Sequence, residues 1–448
     1  MAYDRDRDST FLDTLISRAR KHGADAADAV LFDQTSLTVG QRLGKPETIE
    51  RSESQDVGLR VFVGQQVAVV STGDRNPDAI EKLVEQAVAM AHAVPADPYA
   101  GIADKDQLAT ELPNIDSLDT SEPSTDSLID AANAAEAAAR AVPGVTNSEG
   151  AEAGYSRTRV TLATSNGFSG SYGISNHSLA VSVLAGEGNG MERDYGYSSK
   201  VYHSDLESPE AIGQEAGNRA VKRLNPRKVP TGKYPIIMEP RISRTMLGHL
   251  IGAITGPAIA RGVSFLKDQL FEQILPAGTL VVDDPFIKRG LRSKPFDGEG
   301  LAPMRRNIIE NGTLTTWLLD LRSARQLDLT STGHAARGTA GNPSPAPTNI
   351  MLAAGHKTPE EMIKEIGTGL YVTEVMGPGV NTVTGDYSRG ASGYWIENGE
   401  ITYPVSEITI ASNLRDMFKS LTPADDLERK YGVDAPTVQI DGMTIAGS

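Results

Sequence analysis

The chain has no cysteine among its 448 residues. Disulfides, thiolate nucleophiles and cysteine-built zinc or iron–sulfur sites are therefore excluded. Aromatic residues are also scarce, at 5%, whereas 44 glycines and 25 prolines indicate many turns and a β-rich fold. The formal charge of −15 argues against a broad phosphate-binding surface, and so against nucleic acid as a partner.

Long apolar runs are missing as well. The first residues, Met1–Asp8, are charged rather than apolar, so we expect no signal peptide. The most apolar long window, Met246–Leu266, is interrupted by a histidine, a proline and an arginine, and we do not expect it to span a membrane. The sequence predicts a cytoplasmic protein without a membrane partner.

The order of helical and strand-like patterns predicts an α+β fold. It consists of an N-terminal domain of helices and antiparallel sheet, followed by a β-rich C-terminal domain of antiparallel sheet. The predicted domains are residues 1–105, a central segment 106–226 with an acidic linker and antiparallel strands, and residues 227–448. The first helix is expected to begin at a cap formed by Ser9 or Thr10.

Two Asn-Gly pairs and one linker make more local predictions. Asn311-Gly312 and Asn398-Gly399 each lie between apolar strands, and such pairs favour tight hairpins because both turn residues need a positive φ. The segment Lys105–Thr125 is rich in polar residues and proline. We interpret it as an extended connection on the surface.

Neither the histidines nor the paired carboxylates give a strong metal signal. No two histidines stand three to five residues apart, as a helical ligand pair requires. His334 lies in a glycine-containing loop and is interpreted as solvated, although it could instead serve a cleft. The carboxylates Asp283, Asp284, Asp297 and Glu299 could hold a hard cation, but their Pro and Gly neighbours favour turn capping. The seven histidines are His22, His92, His177, His203, His249, His334 and His356.

Four segments together resemble a known family. Gly377–Gly399 reads GPGVNTVTGDYSRGASGYWIENG, and Pro404–Asn413 reads PVSEITIASN. With PFDGEG at Pro295–Gly300 and DVGLRV at Asp56–Val61, they resemble the TldD/PmbA family, also called modulators of DNA gyrase. Within that family the chain is similar to the PmbA (TldE) branch, and the resemblance covers nearly its whole length.

The resemblance also identifies a motif that has lost its ligands. In the TldD branch a helix carries His-Glu-x-x-x-His, whose histidines bind zinc while the glutamate acts as general base, and a later cysteine completes the site. Alignment through Thr245–Leu247 places Gly248 and Ala253 at the two histidines and His249 at the glutamate. The resemblance therefore implies no metal site and no catalytic residue in this chain, with zinc held by a TldD-type partner.

What the resemblance implies is a subunit of a heterodimeric peptidase that degrades unfolded peptides and matures modified peptide antibiotics. The TldD-type partner would hold the metal, and this TldE-type chain would complete the chamber for peptide substrates. The candidate chamber residues are Asn381, Thr384, Asp386 and Arg389. A turn held together by its own hydrogen bonds is the alternative interpretation of the same residues.

Two hypotheses that assign the chain to other functional classes stay open. One is a homodimeric peptide-binding adaptor that modulates gyrase- or toxin–antitoxin-related peptides without a peptidase partner, and a homodimer is also compatible with the isolated chain. The other is an autonomous hydrolase, in which the carboxylates at 283, 284, 297 and 299 hold a hard metal ion.

Overall fold

The computed structural model describes residues 5–447. A six-stranded sheet forms the first half, and each neighbouring pair of its strands is antiparallel. Its strands are β1 (Ala26–Arg42), β2 (Lys45–Val63), β3 (Gln66–Thr72), β4 (Val145–Thr164), β5 (Ser169–Ala185) and β6 (Glu192–Lys200). Their order across the sheet is β3-β2-β1-β4-β5-β6.

Helices cover one face of this sheet. They are α1 (Arg5–Lys21), α2 (Pro77–Ala93), α3 (Thr125–Arg140) and α4 (Pro209–Lys222). Because side chains alternate along a strand, Leu31 and Leu37 of β1 lie on the same face of the sheet. Leu31 packs under α1 and α2, and Leu37 packs under α3 and α4. Val30 lies on the opposite face and packs toward Phe296. The sheet is thus a middle layer between the helices and the second half of the chain.

The second half is built around a sheet that closes on itself. Its main strands are β7 (Gly232–Met238), β14 (Gly369–Met376), β15 (Asp386–Glu397), β16 (Glu400–Asn413) and β19 (Val438–Ala446), with the short β17 (Thr422–Pro423) at one edge. Neighbours follow the order β16-β15-β14-β7-β19-β17. β16 also pairs with β19, which completes the ring.

A second, smaller sheet packs beside the ring. It has the order β10-β9-β8-β13-β18, and its strands are β8 (Val281–Asp284), β9 (Arg306–Glu310), β10 (Thr313–Leu314), β13 (Asn349–Leu352) and β18 (Val433–Asp434). A separate pair joins β11 (Ala335–Ala336) to β12 (Ser344–Pro345), and the helices of this half are α5 (Pro240–Ala253), α6 (Gly256–Ala260), α7 (Leu321–Gln326), α8 (Pro359–Ile366) and α9 (Leu414–Ser420). No helix within residues 5–447 has both the length and the apolar content to cross a bilayer.

The predicted α+β class is confirmed, and so are both hairpins. Asn311 and Gly312 connect β9 to β10 with φ of 49° and 81°. Asn398 and Gly399 connect β15 to β16 with φ of 54° and 77°. The first sheet contains strands from both the 1–105 and the 106–226 ranges, because β1 pairs with β4 over most of its length.

One local prediction was wrong, and another is confirmed only in part. Ser9 and Thr10 do not begin α1, since the chain is already helical at Arg5. The periodicity of apolar residues marked only the buried part of the helix, and its charged first turns carry no such mark. The Lys105–Thr125 connection is not purely superficial either. Ile115 is buried, and Ser117 accepts a hydrogen bond through its carbonyl from the Ser175 amide of β5 (3.0 Å).

Candidate functional site

Helix α5 carries the three positions of the degenerate metal motif. It follows β7 directly and has Pro240 in its first turn, where the missing N–H of proline is harmless. Its buried residues recur at helical spacing, so one face packs into the core. Those residues are Ile242, Ser243, Met246, Leu247, Leu250 and Ala253. Gly248 and Gly252 are exposed on the opposite face, which we call the open face of α5.

The motif positions point in different directions. A Cβ built on Gly248 would have no atom within 4 Å, and the same holds for Gly252. Ala253 is instead fully buried in the core of the C-terminal half. His249 lies between these extremes and is partly buried. A side chain at Ala253 would therefore enter the core rather than face a common ligand with Gly248.

His249 belongs to a small polar cluster. Its ring meets the ring of Tyr387 nearly edge-on, with centroids 5.8 Å apart. Arg389 stands two residues beyond Tyr387 on β15, and so on the same side of that strand. The Nε2 atom of His249 and the Nε atom of Arg389 are buried without a hydrogen-bond partner among the described residues. We call His249, Tyr387 and Arg389 the His249 cluster.

The cluster carries positive charge. Burial lowers the pKa of His249 to about 4, and the Arg389 guanidinium acts in the same direction. Burial raises the pKa of Tyr387 to about 12, although Arg389 opposes that shift. Both rings are therefore neutral near pH 7, and the charge of the cluster is that of the guanidinium.

The lowered pKa of His249 predicts a dependence of stability on pH. The unfolded imidazole binds its proton near pH 6.5, and the folded one only near pH 4, so acidification through this window favours the unfolded state. On going from about pH 7 to about pH 5, the urea midpoint should fall more for the wild type than for His249→Gln. His92→Gln, at an exposed histidine, is the matched control. Equal losses in the wild type and His249→Gln would contradict the assignment.

Three of the four candidate chamber residues hold a turn. The Asn381 side chain accepts hydrogen bonds from the amides of Val383 (2.9 Å) and Thr384 (3.3 Å). The Thr384 hydroxyl donates to Asp386 (2.6 Å). The Asn413 side-chain amide donates both to the Thr384 carbonyl and to Asp386. These contacts favour the interpretation of a self-bonded turn, while Arg389 points away from it into the His249 cluster.

One loop, which follows α6, joins this turn to the end of α5. The Phe265 amide donates to the Thr382 carbonyl (3.0 Å), and the Ser264 hydroxyl donates to the Ala253 carbonyl (2.6 Å). The flanking residues Val263 and Val383 are 39% and 50% exposed. This loop and the turn therefore pack together at the C-terminal end of α5 and carry exposed apolar side chains.

These residues do not fit a zinc ion. Gly248 offers no ligand atom, Ala253 lies in the core, and His249 supplies a single imidazole beside a guanidinium that would repel a cation. Across residues 5–447, no three histidine, aspartate or glutamate side chains converge as a ligand set. We therefore derive no catalytic step through a metal bound to this chain.

The paired carboxylates have structural partners. Asp297 accepts from the amides of Glu299 (2.9 Å) and Leu301 (2.9 Å) and so closes its own turn. Asp284 accepts from the Phe286 amide in the same manner, and Glu299 accepts from the Leu321 amide (2.8 Å). Asp284 and Asp297 agree with the turn-capping interpretation, whereas Glu299 and Asp283 accept hydrogen bonds from residues that are distant in sequence.

The solvated interpretation of His334 was wrong. Its side chain is 2% exposed, and its Nε2 atom lies 3.2 Å from Asp283. Its Nδ1 atom lies 2.8 Å from the Thr332 hydroxyl. Glycine and small residues around it suggested a flexible loop, but those same residues allow the loop to pack closely against β8.

A cluster of buried charges was missed from the sequence. Asp28 of β1 lies directly opposite Arg60 of β2, and both are buried on the face that meets the C-terminal half. Arg337 reaches Asp28 from that half, and Glu299 lies 3.6 Å from Arg60. The sequence does contain one indication of this cluster, because Arg60 is the single charged residue within the apolar strand segment Val57–Val63. A charged side chain buried in such a strand requires a buried partner of opposite charge.

Comparison with known proteins gives matches along the chain. Models of the PmbA/TldA metallopeptidase family match residues 27–91 (domain 1), 118–224 (central domain) and 231–447 (C-terminal domain). Metalloprotease PmbA of Escherichia coli O157:H7 is 40% identical over 426 residues, covering 95% of this chain and 93% of that protein. A PmbA homologue of Haemophilus influenzae is 38% identical, covering 97% and 94%.

Solved structures share the whole architecture. A proposed modulator of DNA gyrase from Bacteroides thetaiotaomicron superposes with a TM-score of 0.91 at 25% identity, over the full length of both chains. TldE from Thermococcus kodakarensis gives a TM-score of 0.87 at 18% identity, covering 98% of this chain and all of that one, which establishes likeness of fold.

Proposed function

We propose, since the chain belongs to the PmbA/TldD metallopeptidase family, that it is the TldE-type subunit of a two-chain metallopeptidase. A TldD-type partner would bind the zinc ion and cleave unfolded or modified peptides in the cytoplasm. The observation that carries the proposal is α5 itself. The helix is intact and packed, but its motif positions supply one imidazole next to a guanidinium.

The open face of α5 is the proposed contact surface for the partner. Glycine inside a helix costs about 1 kcal/mol relative to alanine, and neither Gly248 nor Gly252 is needed for packing within this chain. Two such glycines one turn apart suit the close approach of another chain. The exposed Val263 and Val383, which lie where the loop and the turn pack at the end of α5, are proposed to add apolar area to this contact.

The turn around Asn381 is the proposed wall of the peptide chamber. Its polar side chains Asn381, Thr384 and Asp386 fix the shape of the turn through their own hydrogen bonds. Arg389 has an unpaired Nε donor and is the member of the set that could bind a peptide carbonyl. In the C-terminal ring the main strands pair on both sides. In the first sheet β3 and β6 are edge strands, and Lys45–Asp56 of β2 extends past β3 without an outer neighbour among the described strands.

Metal content and reconstitution test the proposal together. The purified chain should contain no stoichiometric zinc and cleave no unfolded casein, whereas adding a TldD-type subunit should give zinc-dependent cleavage. A TldD-type subunit whose first motif histidine is replaced by alanine is the matched control and should restore nothing. Stoichiometric zinc in the isolated chain, combined with peptidase activity that disappears in His249→Ala, would refute the proposal. A homodimer that binds peptides but never associates with a TldD-type chain would favour the adaptor hypothesis.

A further inference from the structure

A cavity lies between the first sheet and the C-terminal half, away from the open face of α5. Its volume is about 150 Å³. Apolar side chains from β1, β4 and β5 form one wall, and the loop before β9 forms the other. These apolar residues are Val30, Phe32, Val160, Leu162, Ile174 and Phe296. A dry cavity of about this size accommodates a six-carbon ring.

One charged side chain at the cavity has unused hydrogen-bond donors. Arg337 lines the cavity, and its side chain is 2% exposed. Its Nη1 atom is paired with Asp28, but its Nε and Nη2 atoms have no partner among the described residues. Nε and Nη2 form the side of a guanidinium that binds both oxygens of a carboxylate. The unpaired atoms have the arrangement of a carboxylate fork, and because both are fully buried the Arg337 side chain must shift toward the cavity for a carboxylate to reach them.

The charges around the cavity leave room for an anion. Asp28 is shared by two arginines, Arg60 and Arg337. Lys294 also lines the cavity and donates to the Ala335 carbonyl, and burial lowers its pKa, which weakens its positive charge. Asp297 is engaged by three backbone amides, and burial raises its pKa, which weakens its negative charge.

The remaining groups do not engage the two unpaired donors of Arg337. Glu299 lies 3.6 Å from Arg60 rather than against Arg337, and burial raises its pKa. Tyr172 lines the cavity as a neutral phenol, because burial raises its pKa to about 12. Its hydroxyl adds a further polar group to the otherwise apolar wall.

We propose that this cavity binds a carboxylate attached to a compact apolar group of roughly six carbons, with the carboxylate on Arg337 and the apolar group between Val160 and Phe296. A free carboxylic acid and the C-terminal residue of a peptide offer the same chemistry. The site lies away from the open face of α5, and its test uses this chain alone.

Calorimetric titration of the full chain with benzoate tests the proposal. Benzoate should bind saturably, and benzamide, which has the same shape without the charge, should bind at least about tenfold more weakly, because a charge-assisted pair is lost. Arg337→Gln should weaken benzoate binding to a similar extent. Val160→Phe should abolish binding by filling the cavity, while every charge stays in place. Arg305→Gln, at an arginine 59% exposed, is the control for a change of net charge.

The ligand source follows from a second pair of probes. The ligand is a peptide C-terminus if the tripeptide Ala-Ala-Phe binds as tightly as benzoate and the same tripeptide with an amidated C-terminus does not bind. Benzoate binding without the tripeptide identifies a free acid. The proposal is overturned if benzoate shows no saturable binding, or if benzamide binds equally well. It is also overturned if Val160→Phe folds and leaves benzoate affinity unchanged.

Discussion

Replacing Asp28 with alanine is expected to lower the free energy of unfolding by about 3–5 kcal/mol, the usual cost of removing one partner from a buried ion pair. The Asp28 side chain is 1% exposed and accepts from Nε (2.9 Å) and Nη2 (2.5 Å) of Arg60. Arg337 binds the other oxygen from the C-terminal half. Burial alone would raise the pKa of Asp28, but the Arg337 and Arg60 guanidinia outweigh it and lower the pKa.

Urea denaturation followed by circular dichroism measures this loss. Arg51→Ala is the matched control, because Arg51 and Glu53 form an ion pair whose side chains are 56% and 62% exposed. Exposed pairs contribute little to stability, so that variant should unfold close to the wild type. An Asp28→Ala protein that is as stable as Arg51→Ala would show that the two arginines find other partners.

The second large effect concerns activity rather than stability. Gly248→Trp should reduce peptide cleavage by the reconstituted two-chain enzyme about tenfold or more, since loss of about 1.4 kcal/mol of association free energy already gives that factor. The indole would project from the open face of α5, where the isolated chain has no atom within 4 Å of a Cβ. In the assembled enzyme the same volume would meet the partner.

Two further variants separate this effect from unfolding. Gly248→Ala should stabilise the isolated chain by about 1 kcal/mol, because alanine is the better helix former. Glu85→Trp places the same bulk on an exposed position of α2 and should leave cleavage unchanged. Full cleavage by Gly248→Trp would place the partner elsewhere on the molecule.

The sequence predicted most of the fold through local rules. Asn-Gly turns and the alternation of apolar residues each require only neighbouring residues. The start of α1 was missed because its first turns carry no apolar signal. The pairing of β1 with β4 joins residues more than 100 positions apart, and no local pattern encodes such a contact.

The candidate site was predicted only in part for the same reason. His249 could be identified from the motif, but its neighbours Tyr387 and Arg389 come from a strand that is distant in sequence. Asn381, Thr384 and Asp386 were located correctly as polar turn residues. That their hydrogen bonds close on the turn itself is a matter of side-chain geometry, which residue type alone does not determine.

The pairing of β19 with both β7 and β16 has a consequence for synthesis on the ribosome. The first sheet has all of its strands once Lys200 has been made, but the ring cannot close before residues 438–446 have emerged. At about 5–20 residues per second, the interval between these events is on the order of ten seconds or more. During this interval β7 and β16 have not yet paired with β19. The nascent C-terminal half therefore exposes unpaired strand edges that chaperones could bind.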